Sequence, residues 1–147
     1  MNTKDNKRHQ ETIQRVYATF AELLREQERN KLSVTALCEA ANIDRSTFYA
    51  NFEDITALAN SYAAEIEKQV AAQPHEEGEF SWIFEYILEN KDLFHVYFKL
   101  GTSQTATDYK MLFFRNGVYS VAKLWFTEGC KESPQTMGEI IKREYEN

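Results

Sequence analysis

The sequence predicts an all-α protein, on three observations. Apolar residues recur at i, i+3, i+4 and i+7 along most of the 147 residues, the period of a helix with one buried face. No stretch alternates apolar and polar residues in the manner of a half-buried strand. Glycine (five) and proline (two) are scarce, so few turns interrupt the helical period.

Ile13, Val16, Tyr17, Phe20 and Leu24 form one stripe and predict a first helix over about residues 6–28. Ser33 is suited to cap a second helix, in which Val34, Leu37, Cys38 and Ala41 share a face; Asn42 and Ile43 end it. Asp44 can cap a third short helix that reaches about Phe52. Ile55, Leu58, Ala59, Tyr62, Ile66 and Val70 stripe a long fourth helix, stopped by Pro74 and the polar run "QPHEEGE".

Further along, Phe80, Ile83, Phe84 and Ile87 stripe a fifth helix, and residues from Leu93 to Leu100 a sixth that ends at Gly101. "TSQTATD" (102–108) reads as a loop and helix start. Met111, Phe114, Val118, Val121, Ala122 and Trp125 keep one stripe straight through Asn116-Gly117. A continuous helix is expected there, with Gly117 admitting a close neighbour, and Gly129 ends it. Ser133-Pro134 opens the last helix, striped by Met137, Ile140 and Ile141. The expected organisation is residues 1–52 as one domain, 53–73 as a connecting helix and 74–147 as a second domain.

Charge separates these parts. Residues 1–52 hold eight Lys and Arg against seven Asp and Glu, whereas residues 53–147 hold nine against sixteen. A net charge of −6 argues against a protein that simply coats nucleic acid, and an anionic partner is expected at the first part only. Cys38 and Cys130 form no C-x-x-C pair, the polar N-terminus has no apolar leader, and no apolar run is long enough to span a bilayer. A cytoplasmic protein that does not enter the membrane is expected. Cys38 reads as inert core, while His9, His75 and His95 are isolated and Glu76, Glu77 and Glu79 read as a solvated linker. No catalytic spacing of the hydrolase, P-loop or zincin kind occurs, so neither an enzyme, a cofactor nor a metal is expected.

Two short helices joined by a tight turn, with long helices on either side, is the layout of a helix-turn-helix, whose second short helix enters the major groove. That helix is "RSTFYANF" (45–52). At roughly 100° per residue, Phe48 and Phe52 fall on one side, Ser46 and Ala50 fall opposite, and Thr47 and Tyr49 flank them. Hydroxyls on that face suit phosphate oxygens, and Arg45 suits guanine O6 and N7.

The run "LSVTALCEAANIDRSTFYANFEDITAL", Leu32 to Leu58, resembles the signature of TetR/AcrR-type transcriptional regulators. Leu32, Ser33, Leu37, Ala41, Ile43, Arg45, Ser46, Thr47, Phe48, Tyr49, Phe52 and Leu58 agree with it in type and spacing. The Thr-aromatic-Tyr-x-x-Phe core is its most specific part, and the match covers about the first 70 residues. "WFTEGCKESP", Trp125 to Pro134, is similar to the segment joining the family's last two helices. The resemblance implies a three-helix DNA-binding head joined by the long fourth helix to a small helical half for dimerisation and ligand binding. It implies a homodimer on a pseudo-palindromic double-stranded operator, usually a repressor, released when a small hydrophobic effector changes the separation of the two heads.

Carried over by position, the DNA-binding candidates are Ser33, Thr35, Arg45, Ser46, Thr47, Tyr49 and Asn51, with Lys4, Lys7 and Arg8 reaching phosphates or a minor groove. The family's pattern has a lysine three residues after the final Phe, where this chain has Ile55, so one phosphate contact is missing. Rings from Phe80 to Phe114, Phe113 among them, either line a pocket or fill a core; the pocket candidates are Phe84, Ile87, Phe94, Tyr97, Phe98 and Phe114. Little chain lies between Gly101 and Phe113, which argues against a spacious, closed cavity. Val121, Trp125, Phe126, Met137 and Ile141 are expected at a dimer seam, with internal packing as the other reading. A rival from another class is an adaptor or co-activator of similar shape whose second half grips a protein.

Overall fold

The computed structural model describes residues 3–103 and 108–147. Among these the protein is all-α, with eight α-helices and no strand: α1 (Thr3–Glu26), α2 (Val34–Ala41), α3 (Arg45–Asn51), α4 (Ile55–Ala71), α5 (Ser81–Glu89), α6 (Lys91–Leu100), α7 (Tyr109–Thr127) and α8 (Pro134–Glu146). A single 3₁₀ turn, Arg29–Lys31, follows α1. Among the described residues no helix is long and apolar enough to cross a membrane. Helix α1 begins earlier than its apolar stripe requires, because nothing breaks it and Asp5 in its first turn suits the positive end of the helix dipole. The loop expected over 102–108 is described only at its two ends; residues 104–107 lie outside the described residues.

The chain divides into two compact units, Met1–Tyr62 and Ala63–Asn147. The division falls inside α4 and not at the polar run near Pro74. Its first two turns belong to the first unit through Ser61 and Tyr62: the Tyr17 hydroxyl and Ser61 Oγ are 2.6 Å apart, and Tyr62 stacks on Tyr17 with centroids 4.8 Å apart. The later turns belong to the second, where Glu67 accepts hydrogen bonds from Ser103.

In the first unit, Val16, Tyr17, Phe20 and Leu24 of α1 form the core with Leu37, Cys38 and Ala41 of α2, Phe48 and Phe52 of the α3 region, and Leu58. Each short helix is started by its cap. Ser33 Oγ accepts from the Ala36 N–H at 3.0 Å, and an Asp44 carboxylate oxygen accepts from the Thr47 N–H at 2.7 Å. Asn42 adopts a left-handed conformation (φ 55°), which ends α2 and turns its last carbonyls onto the N–H groups of Asn42 and Ile43. Burial pushes the Cys38 thiol up, so it stays protonated.

In the second unit, α5 packs against α8. Gly138 is the point of closest approach: a Cβ there would lie 2.5 Å from the Ser81 backbone nitrogen. Gly117 was the glycine expected to admit a neighbour, and this is corrected, since nothing lies within 4 Å of the place its Cβ would take. Helix α7 does run unbroken through Asn116-Gly117, and Gly129 (φ 92°) follows its end. Ser133 caps α8 by accepting from the Thr136 N–H at 3.1 Å, with Pro134 in its first turn. Glu79, expected in a solvated linker, is 45% exposed and also accepts from Lys142 Nζ of α8 at 2.6 Å.

Candidate functional site

Two features stand out, one in each unit. The first is the outer face of α2 and α3. Phe48 and Phe52 are buried, 5.6 Å apart between ring centroids, and Tyr17 of α1 lies 6.3 Å from Phe52. These rings pin the inner side of α3. Arg45, Ser46, Tyr49 and Ala50 are exposed and Thr47 and Asn51 half-buried, the division that the helical period predicts. Ser33 and Thr35 are exposed at the start of α2.

Several of these side chains already have local bonds. Ser46 Oγ donates to the Asp44 carboxylate at 2.9 Å, and Asn51 Nδ2 donates to the Thr47 carbonyl at 2.9 Å. Both therefore offer less to an outside partner than their types suggest, Asn51 in particular. Tyr49 is 48% exposed and stands edge-on to Phe48. The Arg45 guanidinium lies 5.9 Å from the Tyr49 ring centre, a cation–π contact that keeps the charge beside the ring. Hydrogen bonds from Thr47 and Ser46 hold the Asp44 carboxyl below the usual aspartate range, so a fixed negative charge borders the face. Sequence reasoning treated Asp44 as a cap only. Lys4, Lys7 and Arg8 are exposed within α1 at i, i+3 and i+4, so they share one helical face.

The second feature is a cavity of about 280 Å³ in the second unit. Its walls come from α4 (Glu67, Val70), from His75, from α5 (Trp82, Ile83, Ile87), α6 (Phe94, Tyr97, Phe98) and α7 (Phe114, Arg115, Val118, Tyr119). Five of the six rings and aliphatic groups expected there are present. Phe84 is the exception: it is fully buried and meets Trp125 edge-on at 5.2 Å, as core. Phe113 neither lines the cavity nor fills a core. It is 84% exposed, because it lies about 100° around α7 from Phe114. His75, expected to have no role, stacks on Trp82 at 4.1 Å as part of the wall.

The polar end of the cavity was not readable from sequence. Glu67 accepts from Ser103 N–H at 3.0 Å and from Ser103 Oγ at 2.8 Å, and the Ser103 carbonyl accepts from Arg115 Nη2 at 2.7 Å. Arg115 Nη1 lies 3.6 Å from the Glu67 carboxylate. Ser103 is wholly buried by this arrangement. Arg115 Nε is buried, with no acceptor among the described residues. Burial, reinforced by the Glu67 charge, pushes the Tyr97 phenol far up and raises that of Tyr119, so both stay protonated; Tyr119 donates to the Phe98 carbonyl at 3.1 Å.

Of the residues expected at a dimer seam, Trp125, Met137 and Ile141 are buried within the chain itself. Trp125 Nε1 also donates to the Glu132 carbonyl at 3.0 Å. Phe126 is half-buried against Phe98 and Val121 half-buried, whereas Leu124 (63% exposed) and Ile140 face outward. Met111, placed on the inner stripe of α7 by its spacing, is exposed. Among the described residues no group of three or more His, Cys, Asp and Glu is placed to hold a metal ion.

No protein-family model matches the chain, and no curated protein matches it in sequence.

Proposed function

We propose that the chain is a sequence-specific DNA-binding transcriptional regulator of the TetR/AcrR type, acting as a repressor. In this reading α1–α3 are a helix-turn-helix head. Two copies place their α3 helices in successive major grooves of a pseudo-palindromic operator, roughly 34 Å or a multiple of that apart. A dimer so seated excludes polymerase from the promoter.

The observation that carries the proposal is the division of α3. Phe48 and Phe52 are held inside, while Arg45, Ser46 and Tyr49 face outward beside the exposed start of α2. A helix used only as core would not need so small and hydroxyl-rich an outer side, and small side chains let the backbone approach a groove closely. Arg45 would read a guanine edge, Thr47 and Tyr49 would hold phosphate or base, and Lys4, Lys7 and Arg8 would supply further phosphate contacts. Ile55 and Asp44 work the other way, so affinity rests heavily on Arg45 and the α1 cations.

Pairing of two copies through α7 and α8 would use Leu124, Ile140, Val121 and Phe126, since Trp125, Met137 and Ile141 are already covered by the chain. The cavity of the second unit would hold a small effector. Such a ligand shifts the dimer away from its DNA-competent state only as far as it prefers the other state.

A mobility-shift experiment with the DNA upstream of the gene, at two salt concentrations, tests the central point. A discrete complex that weakens at the higher salt is expected, and it should be lost in an Arg45→Ala, Tyr49→Phe double variant that melts like wild type. No discrete complex, or undiminished binding by the double variant, would leave the adaptor reading, in which the second half grips a protein.

A further inference from the structure

We propose that two copies of the chain pair through the outer face of α7, the two α7 helices running antiparallel about a two-fold axis beside Ser120. This rests on the homodimer part of the reading above and gives it one helix, one direction and one register.

Helix α7 has two apolar sides. On one, Phe114, Val118 and Ala122 line the cavity and Trp125 is buried. At about 100° per residue, Tyr109, Phe113, Gly117, Ser120 and Leu124 fall within about 40° of one line on the other. Every residue on that line is uncharged. Its two rings are nearly bare, Tyr109 being 89% and Phe113 84% exposed, and Leu124 is 63% exposed. At Gly117 nothing lies within 4 Å of the place a Cβ would take, so the middle of the line is open.

Size, charge and area each favour a second copy as the occupant. Large side chains stand toward the start of the line, small ones at its middle and Leu124 toward its end. In an antiparallel pair Phe113 of one copy comes against Leu124 of the other, while Gly117 and Ser120 meet at the middle and let the helices approach to about 8 Å. A parallel pair would set ring against ring and hold the middle apart. Lys110 and Glu128, both exposed, stand about five whole turns apart, so they share one flank of the line, and their midpoint falls beside Ser120. Antiparallel pairing about that midpoint brings each Lys110 opposite the Glu128 of the other copy, two ion pairs related by the axis. Parallel pairing would set Lys110 against Lys110. Rings of this kind carry about 150–250 Å² each, so Tyr109, Phe113 and Leu124 offer on the order of 400 Å² of the about 800 Å² that each copy gives a standard interface. The smaller residues and the flanks of the helix supply the rest.

Sedimentation equilibrium and cysteine cross-linking of the full chain test this. Wild type should sediment as a dimer at micromolar concentration, and Phe113→Glu should raise its dissociation constant roughly a hundredfold. Lys110→Glu and Glu128→Lys should each weaken the dimer, and the two together should restore it, because the swapped charges again face each other. Cross-linking uses a Cys130→Ser background, which leaves the buried Cys38. A residue beside the axis meets its own copy, so Ser120→Cys should give a disulfide-linked dimer on mild oxidation. Phe113→Cys and Leu124→Cys proteins, mixed, should link to each other and not to themselves. A dimer in which Ser120→Cys fails to link, Phe113→Cys links to itself, or the charge swap restores nothing overturns this inference and leaves the homodimer reading standing. A wild-type chain that stays monomeric overturns both.

Discussion

The two units use aromatic side chains in opposite ways. In the first, Tyr17, Phe20, Phe48 and Phe52 lie inside, with half-buried Tyr62 against Tyr17 and Phe20, and pin short helices, so that the polar groups of α3 are presented outward on a fixed support. In the second, Trp82, Phe94, Tyr97, Phe98 and Tyr119 line a space, and Glu67 and Arg115, tied together through Ser103, stand at one end of it. An outward face on a rigid base suits a large, regular, charged surface, while a ring-lined cavity suits one small molecule. On the proposed reading the two units serve two recognition chemistries, separated by which side of the helix the polar residues occupy.

On that separation, damage to one unit spares the recognition proposed for the other. The largest effect is expected from Phe48→Ala. Removing this fully buried ring should cost about 3–5 kcal/mol in urea denaturation and should abolish DNA binding, while the fluorescence of Trp82 and Trp125, both in the second unit, keeps its folded form. Joint loss of DNA binding and of that folded fluorescence would break the comparison.

Gly138→Ala is the converse. Its new methyl group would meet backbone atoms of Ser81, so α5 and α8 must part, and a loss of about 1–3 kcal/mol is expected in thermal or chemical unfolding. The cavity should weaken, and the α3 face should keep its affinity for DNA in protein that remains folded.

Ser33→Ala is smaller, about 1 kcal/mol, because it removes one helix cap at the surface. The smallest effect is a pH dependence. The Asp44 carboxyl is held below its unfolded value, so its contribution is complete above the ordinary aspartate range and is lost as pH falls through the lowered value. Melting curves below about pH 4 should show that decline, and Asp44→Asn, which can still cap, should flatten it.

Much of the fold was legible because its signals are local. Ser33, Asp44 and Ser133 each sit within three residues of the amide they cap, and the stripes of α1 and α3 predict which rings are buried. Periodicity also carried α7 correctly across Asn116-Gly117. What escaped depends on distant partners. Gly138 and Gly117 look alike in sequence, and only the packing of α5 on α8 makes one of them a contact point. Glu67, Ser103 and Arg115 come from α4, a loop end and α7, and nothing in the spacing of a glutamate, a serine and an arginine says that they meet. Trp125 belongs to a true stripe of α7 and Met137 and Ile141 to one of α8, but a stripe does not state whether its cover is the same chain or a second copy.

The most direct test of the central claim is selection of wild-type protein against a pool of random duplexes, followed by sequencing of what is retained. The account predicts enrichment of an inverted repeat whose half-site centres lie about 10 base pairs or a multiple apart, with the preferred base changing in Arg45→Ala. A pool that stays random through repeated rounds, or an enriched site that Arg45→Ala retains unchanged, would contradict it.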